Sequence, residues 1–200
     1  MRFKLKSMIK IISLPLFIIL TVSLSGQGKS YFYQIPEYPE QYTATNVAAR
    51  MVDGLGFRYY WATEGLTEKD LQFKPGDSTR TSLETIEHIF QLTQILANAV
   101  NKKPTINDLA APKPGFNELR QKTLENLEVS SKILKSKDAD LSAFPMIFKN
   151  PARTTEFPFW NLINGPIADA LWHVGQIVTF RRSSGNPFPA GVSVLQGTKR

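Results

Sequence analysis

The segment from Phe157 to Phe180 runs for 24 residues and contains one formal charge, Asp169. A helix-length stretch so poor in charge is expected to be covered on all sides, so the chain has to supply other helices to pack against it. A buried carboxylate must neutralise, pair or bind a metal, because leaving it charged and alone in an apolar medium is too costly. His173 follows Asp169 by four residues, which places both side chains on one face, one turn apart. Gln176 and Phe180 continue that face. Gly165-Pro166 interrupts the segment and is expected to kink or split a helix running from about Phe157 to Arg182.

Three further segments carry helical spacing. From Tyr42 to Leu66 there is no proline, and apolar residues recur at 47, 51, 55, 59 and 62. Thr81 or Ser82 can cap a second helix, which Pro104 stops beyond Asn101. A third, amphipathic segment covers Phe116 to Lys137. Strand signals are almost absent, so the expected fold is all-α, a four-helix bundle with long connecting loops. Those loops are 67–80, 102–115 and 138–156, with one short turn at Thr67–Asp70. Residues 26–41 and 188–200 read as tails, and the domain itself as 42–187.

The first 25 residues read as a signal peptide. Arg2, Lys4, Lys6 and Lys10 precede an apolar run of 14 residues, Ile11 to Leu24, too short for a membrane span of about 20 residues. Ser23-Leu24-Ser25 offers small residues for cleavage after Ser25 or Gly26. An exported, periplasmic or secreted protein is therefore expected. Its charge falls from +7 to +3 once the four cations of the leader are removed. No cationic cluster alternates with aromatics, so nucleic acid is not an expected partner. No membrane association is expected after cleavage. The expected partners are a small-molecule substrate and, for the protein itself, a homodimer. With no cysteine in the chain, a lipid anchor on cysteine, a disulfide framework, a thiolate nucleophile and a cysteine-ligated zinc are all excluded.

The two histidines of the chain are His88 and His173. On the second helix the polar residues Glu84, Glu87, Gln91, Gln94 and Asn98 share one arc, and His88 lies outside it, on the apolar side near Leu92, Ile95 and Ala99. His88, Asp169 and His173 thus face inward from two helices. Two imidazoles and a carboxylate suffice to hold a divalent ion with open positions, the ligand set of zinc hydrolases and non-haem iron enzymes. The ion could be Zn, Ni, Mn or Fe. Glu84, one turn before His88, is a candidate fourth ligand or general base, or simply a first-turn acid that complements the helix dipole. Gln176 is a candidate to orient a ligand or bind substrate. Asn161 and Asn164 could line the pocket or cap the kink. Arg181 and Arg182 suit a solvated helix end better than an anion site. Trp160 and Trp172 are expected to serve packing.

The pattern of His88 in the second helix followed by Asp169-Ala170-Leu171-Trp172-His173-Val174-Gly175-Gln176 resembles the HxxxHxGQ-like pattern of the DinB-like metalloenzyme family. Leu66-Thr67-Glu68-Lys69-Asp70-Leu71, Pro75-Gly76 and Ser82 to His88 add to the resemblance, which covers roughly residues 42–187. It implies a four-helix bundle with three metal-binding histidines. His88 and His173 carry over, while the third position holds Asp169, leaving a two-histidine, one-aspartate set. Some members of the family are similar to thiol-dependent transferases, a branch that does not suit an exported protein. Two functions follow as expectations. One is a metal-dependent enzyme, a hydrolase, in which the ion activates water. The other is a non-catalytic bundle for ligand binding or interaction, in which the same residues form a vestigial Asp–His contact.

Overall fold

Thr43 accepts a hydrogen bond from the backbone N–H of Asn46 (3.1 Å) and so opens helix α1, Ala44–Thr63, in the computed structural model, which describes residues 30–106 and 114–200. The expected signal peptide lies outside those residues. Thr67 and Asp70 form a reciprocal capping box on the short helix α2, Glu68–Gln72, where one turn was expected. Thr81 and Glu84 do the same for α3, Ser82–Val100. Helix α4 covers Phe116–Leu134. The last helical stretch comes in three parts: α5, Phe159–Leu162; a π-helical turn, Ile163–Ile167; and α6, Ala168–Ser184. Proline at 166 cannot donate a backbone hydrogen bond. The chain absorbs the defect by widening one turn instead of bending sharply.

The protein is mainly helical. Helix α1 packs against α4 and α6, and α3 packs against the same two. Leu55, Tyr59, Ile86, Ile89, Leu96, Leu119, Leu127 and Leu162 are wholly or almost wholly buried between them. Among the described residues no helix is long and apolar enough to cross a membrane.

The fold agrees with the all-α expectation, and two small two-stranded sheets add to it outside the helices. In the 138–156 connection, β1 (Met146–Lys149) pairs antiparallel with β2 (Thr154–Phe157), Met146 opposite Phe157 and Lys149 opposite Thr154. The turn is tied by Asn150 Oδ1, which accepts from the N–H groups of Ala152 and Arg153, both at 2.9 Å. Near the C-terminus β3 (Val192–Ser193) pairs with β4 (Thr198–Lys199).

Neither expected tail is loose. Phe32 has no exposed surface and fills a notch over Gly56, where an added Cβ would lie 2.4 Å from the ring. Burial of a phenylalanine of this kind contributes about 2–3 kcal/mol. Trp61 Nε1 donates to the carbonyl of Tyr33 at 3.1 Å. Gly197 has φ +69° and sits under Ile35, whose N–H donates to its carbonyl at 2.8 Å, so the two ends of the domain hold each other.

The charge-poor segment is not covered on all sides either. One face of it is open, with Trp160 and Trp172 exposed to 72% and 71%. The expectation that these rings serve internal packing is therefore corrected. Arg181 is corrected in the opposite sense: it is only 2% exposed. Its guanidinium donates to the carbonyls of Trp61, Ala62 and Glu64 at 3.0–3.1 Å, satisfying the C-terminal end of α1. Arg182 is the residue that faces solvent.

Candidate metal centre

Helices α3 and α6 lie side by side and bring His88, Asp169 and His173 together. His88 Nε2 is 3.4 Å from one oxygen of Asp169, and His173 Nε2 is 3.3 Å from the other. The two rings meet edge to face with centroids 4.7 Å apart. One ligand atom from each residue can be chosen so that all lie within 4.8 Å of one another. All three side chains are half-buried, with 26%, 35% and 13% of their surfaces exposed for His88, Asp169 and His173. The carboxylate is thus more open than the sequence suggests, because the site lies at the margin of the α3–α6 contact.

The spacing separates two kinds of contact. A direct hydrogen bond between an imidazolium and a carboxylate is about 2.7–2.9 Å long. Ligand atoms about 2.0–2.1 Å from a shared tetrahedral ion stand roughly 3.3–3.5 Å apart. Both histidine–aspartate distances fall in the second range, each to a different oxygen of Asp169, and with one ligand atom per residue the three lie within 4.8 Å, so a shared ion would draw them closer.

Gln176 adds a constraint on the proton. Its side-chain oxygen is 2.8 Å from His173 Nδ1. With that oxygen as acceptor, Nδ1 carries the hydrogen and the Nε2 lone pair points at Asp169. Two acceptors then face each other, an arrangement that a cation between them satisfies. The spacing of 173 and 176 on one helix face is the reason the contact forms at all. His88 has its pKa lowered, first by burial and then by the charge of Arg80 and, when it is protonated, of His173, against the pull of Asp169. A histidine so shifted is neutral at pH 7, as a metal ligand must be.

The remaining candidates fall apart from this cluster. Glu84 is exposed and accepts from the backbone N–H of Thr81 at 2.7 Å, closing the capping box of α3. It stands outside the three-residue group. Asn164 is exposed on the π turn, and Asn161 is half-buried one turn earlier. Arg80, just before the α3 cap, has its charge close enough to bear on His88. It lies outside the helical repeat, so no periodicity in the sequence singles it out.

Compared with known proteins, the chain matches no family model, and no curated protein or solved structure is significantly similar to it.

Proposed function

We propose that this chain is an exported, DinB-like four-helix-bundle protein that holds a divalent ion through His88, Asp169 and His173 and acts as a hydrolase on a small-molecule substrate. The bundle reading is supported by the way α1 and α3 each pack against both α4 and α6. The observation that carries the metal reading is the pair of 3.3 and 3.4 Å spacings about Asp169. They suit coligands of one ion better than partners in a direct hydrogen bond. A vestigial Asp–His pair would be expected to close to a shorter contact.

When bound, a divalent ion of the zinc, nickel, manganese or iron class supplies Lewis acidity that polarises a carbonyl or phosphoryl oxygen. The chain's own residues prepare for it. Burial and neighbouring positive charge keep His88 unprotonated. The Gln176 side chain, 2.8 Å from His173 Nδ1, supports a ring orientation with Nε2 turned toward Asp169. Asp169 offers one oxygen to each histidine, and being an anion where the family pattern has a neutral imidazole, it lowers the charge of the loaded site by one. The helix end beside the site carries Arg80, whose charge suits an anionic or strongly polarised substrate group.

Protein purified without added metal is expected to contain stoichiometric metal by elemental analysis. Hydrolysis of activated carboxylic or phosphate esters is expected to be chelator-sensitive and lost in His173→Ala. If the parent holds no metal, and added zinc, nickel, manganese or iron(II) leaves its melting temperature unmoved, the metalloprotein reading falls and the non-catalytic bundle takes its place.

A further inference from the structure

The open face of the charge-poor segment has no role in the site just described. Trp160, Asn164, Ala168, Trp172, Gly175 and Thr179 are all exposed, at spacings of three and four residues. The π turn between α5 and α6 holds the first three in line, because its wider turn takes more than four residues. None of the six is charged, and the two indoles flank a shallow strip of small side chains.

Gly175 is the informative member. It sits in the middle of α6, where glycine costs about 1 kcal/mol relative to alanine. An added Cβ there would meet nothing within 4 Å. Among the described residues nothing therefore requires the glycine, whereas the close approach of a second helix from outside would.

We propose that two copies of this chain pair through this stripe, α6 against α6, with Trp172 of each copy seated over Ala168 and Gly175 of the other. A stripe that is small in its middle and aromatic beside it is self-complementary about a twofold axis. The charge balance points to a second copy as well. Without the four cations of residues 1–25 the chain carries a net charge of +3 (7 − 4), and two copies approach without charge penalty at an uncharged face. Area agrees too. At 72% and 71% exposure, each indole offers about 180 Å², so the four rings of a pair supply roughly 700 Å² of the 1,200–2,000 Å² that a stable interface buries. The smaller side chains and the helix flanks extend the patch. Tryptophans at the centre of such a patch are the residue type on which interface energy concentrates. This inference stands independently of the metal reading.

Sedimentation equilibrium of the full mature chain over micromolar concentrations is expected to show a dimer. Trp172→Glu should give a monomer with an unchanged circular dichroism spectrum. Gly175→Leu removes the helix penalty and fills space that is empty within one copy, so it should leave the melting temperature of the monomer equal or higher. The same change should weaken the dimer at least tenfold. A parent that stays monomeric throughout overturns the proposal. So does a dimer that neither substitution weakens, or a stripe that binds neutral phosphatidylcholine vesicles in place of a second copy.

Discussion

Replacing Gln176 by alanine tests whether the site is organised beyond its three ligands. The His173 Nδ1–Gln176 contact is 2.8 Å long and holds the tilt of the ring; with the Gln176 oxygen as acceptor it also leaves Nε2 bare. Loss of such a support lowers metal affinity by about 10- to 100-fold, or roughly 1.4–2.7 kcal/mol. The consequence for thermal stability follows by linkage. At an ion concentration of about 100 times the parent's Kd, binding stabilises the folded chain by about 2.7 kcal/mol. For a domain of this size each kcal/mol raises Tm by about 2–4 °C, so the parent should gain about 5–11 °C on adding zinc or nickel. At the same concentration the variant retains only about 0.4–1.4 kcal/mol, a gain of about 1–6 °C. Without metal the two proteins should melt within a few degrees of each other, because Gln176 is half-exposed. Gln176→Glu keeps an acceptor at the same place and should restore the full metal-induced shift. Differential scanning fluorimetry and calorimetric titration measure both terms. If Gln176→Ala gains as much from metal as the parent, the ring is not held by Gln176 and the tautomer argument fails. If it melts far lower without metal, the residue is a structural one.

Asp169→His should keep the metal-induced rise in Tm and Asp169→Ala should lose it, as titration of each apo-protein with zinc will show. Asp70 is almost fully buried. Burial alone would raise its pKa, but hydrogen bonds from Asn186, Ser184 and Thr67 outweigh it and hold the carboxyl well below the usual range. The stability it confers is therefore present above the unfolded-state pKa of about 4 and drains away as pH falls below that. Asp70→Asn should cost about 2–3 kcal/mol at pH 7 in urea unfolding and flatten the fall in stability below about pH 4. Arg181→Met should cost about 3–5 kcal/mol in the same assay, since it strips the donors from three carbonyls at the end of α1.

The helices and the Thr81 cap of α3 were legible because they rest on local rules, which also account for the reciprocal partners that the fold adds. Thr81 with Glu84 and Thr67 with Asp70 are reciprocal caps written three residues apart. The 3-4 spacing of apolar residues placed α1, α3 and α4 within a few residues of their observed ends. The β1–β2 hairpin was not legible, because strands of four residues are too short to show a period. Phe32 and Gly56 lie 24 positions apart in the sequence, and nothing local announces that one fills the other's notch. The same limit applies to Arg181, which reads as an ordinary basic residue in a last helical turn. Only the fold shows that the end of α1 arrives beneath it. His88, Asp169 and His173 were legible together because each broke a local pattern: an imidazole on an apolar arc, and a lone charge one turn from the second imidazole.

Those long-range ties are also what hold the candidate ligands in register. The site spans α3 and α6, so its geometry depends on how firmly these two helices are fixed to the rest. Ser184, in the last turn of α6, donates to Asp70. Asp70 belongs to α2, which leads into α3 through the Phe73 carbonyl and the Ser82 N–H at 2.9 Å. Arg181 ties the same turn of α6 to the end of α1. At the other end of α6 the π turn sets its rotation, and so decides which residues face α3. With four residues per repeat, Asp169 and His173 turn toward His88 while Ala168 and Trp172 turn away. An uninterrupted α-helix through Gly165-Pro166 would run ahead by about one residue, roughly 100°, turning Trp172 toward His88 and carrying Asp169 and His173 to where Ala170 and Val174 now lie. The proline that looks like a defect in the last helix is thereby the element that aims the carboxylate at both histidines and leaves the tryptophan stripe outside.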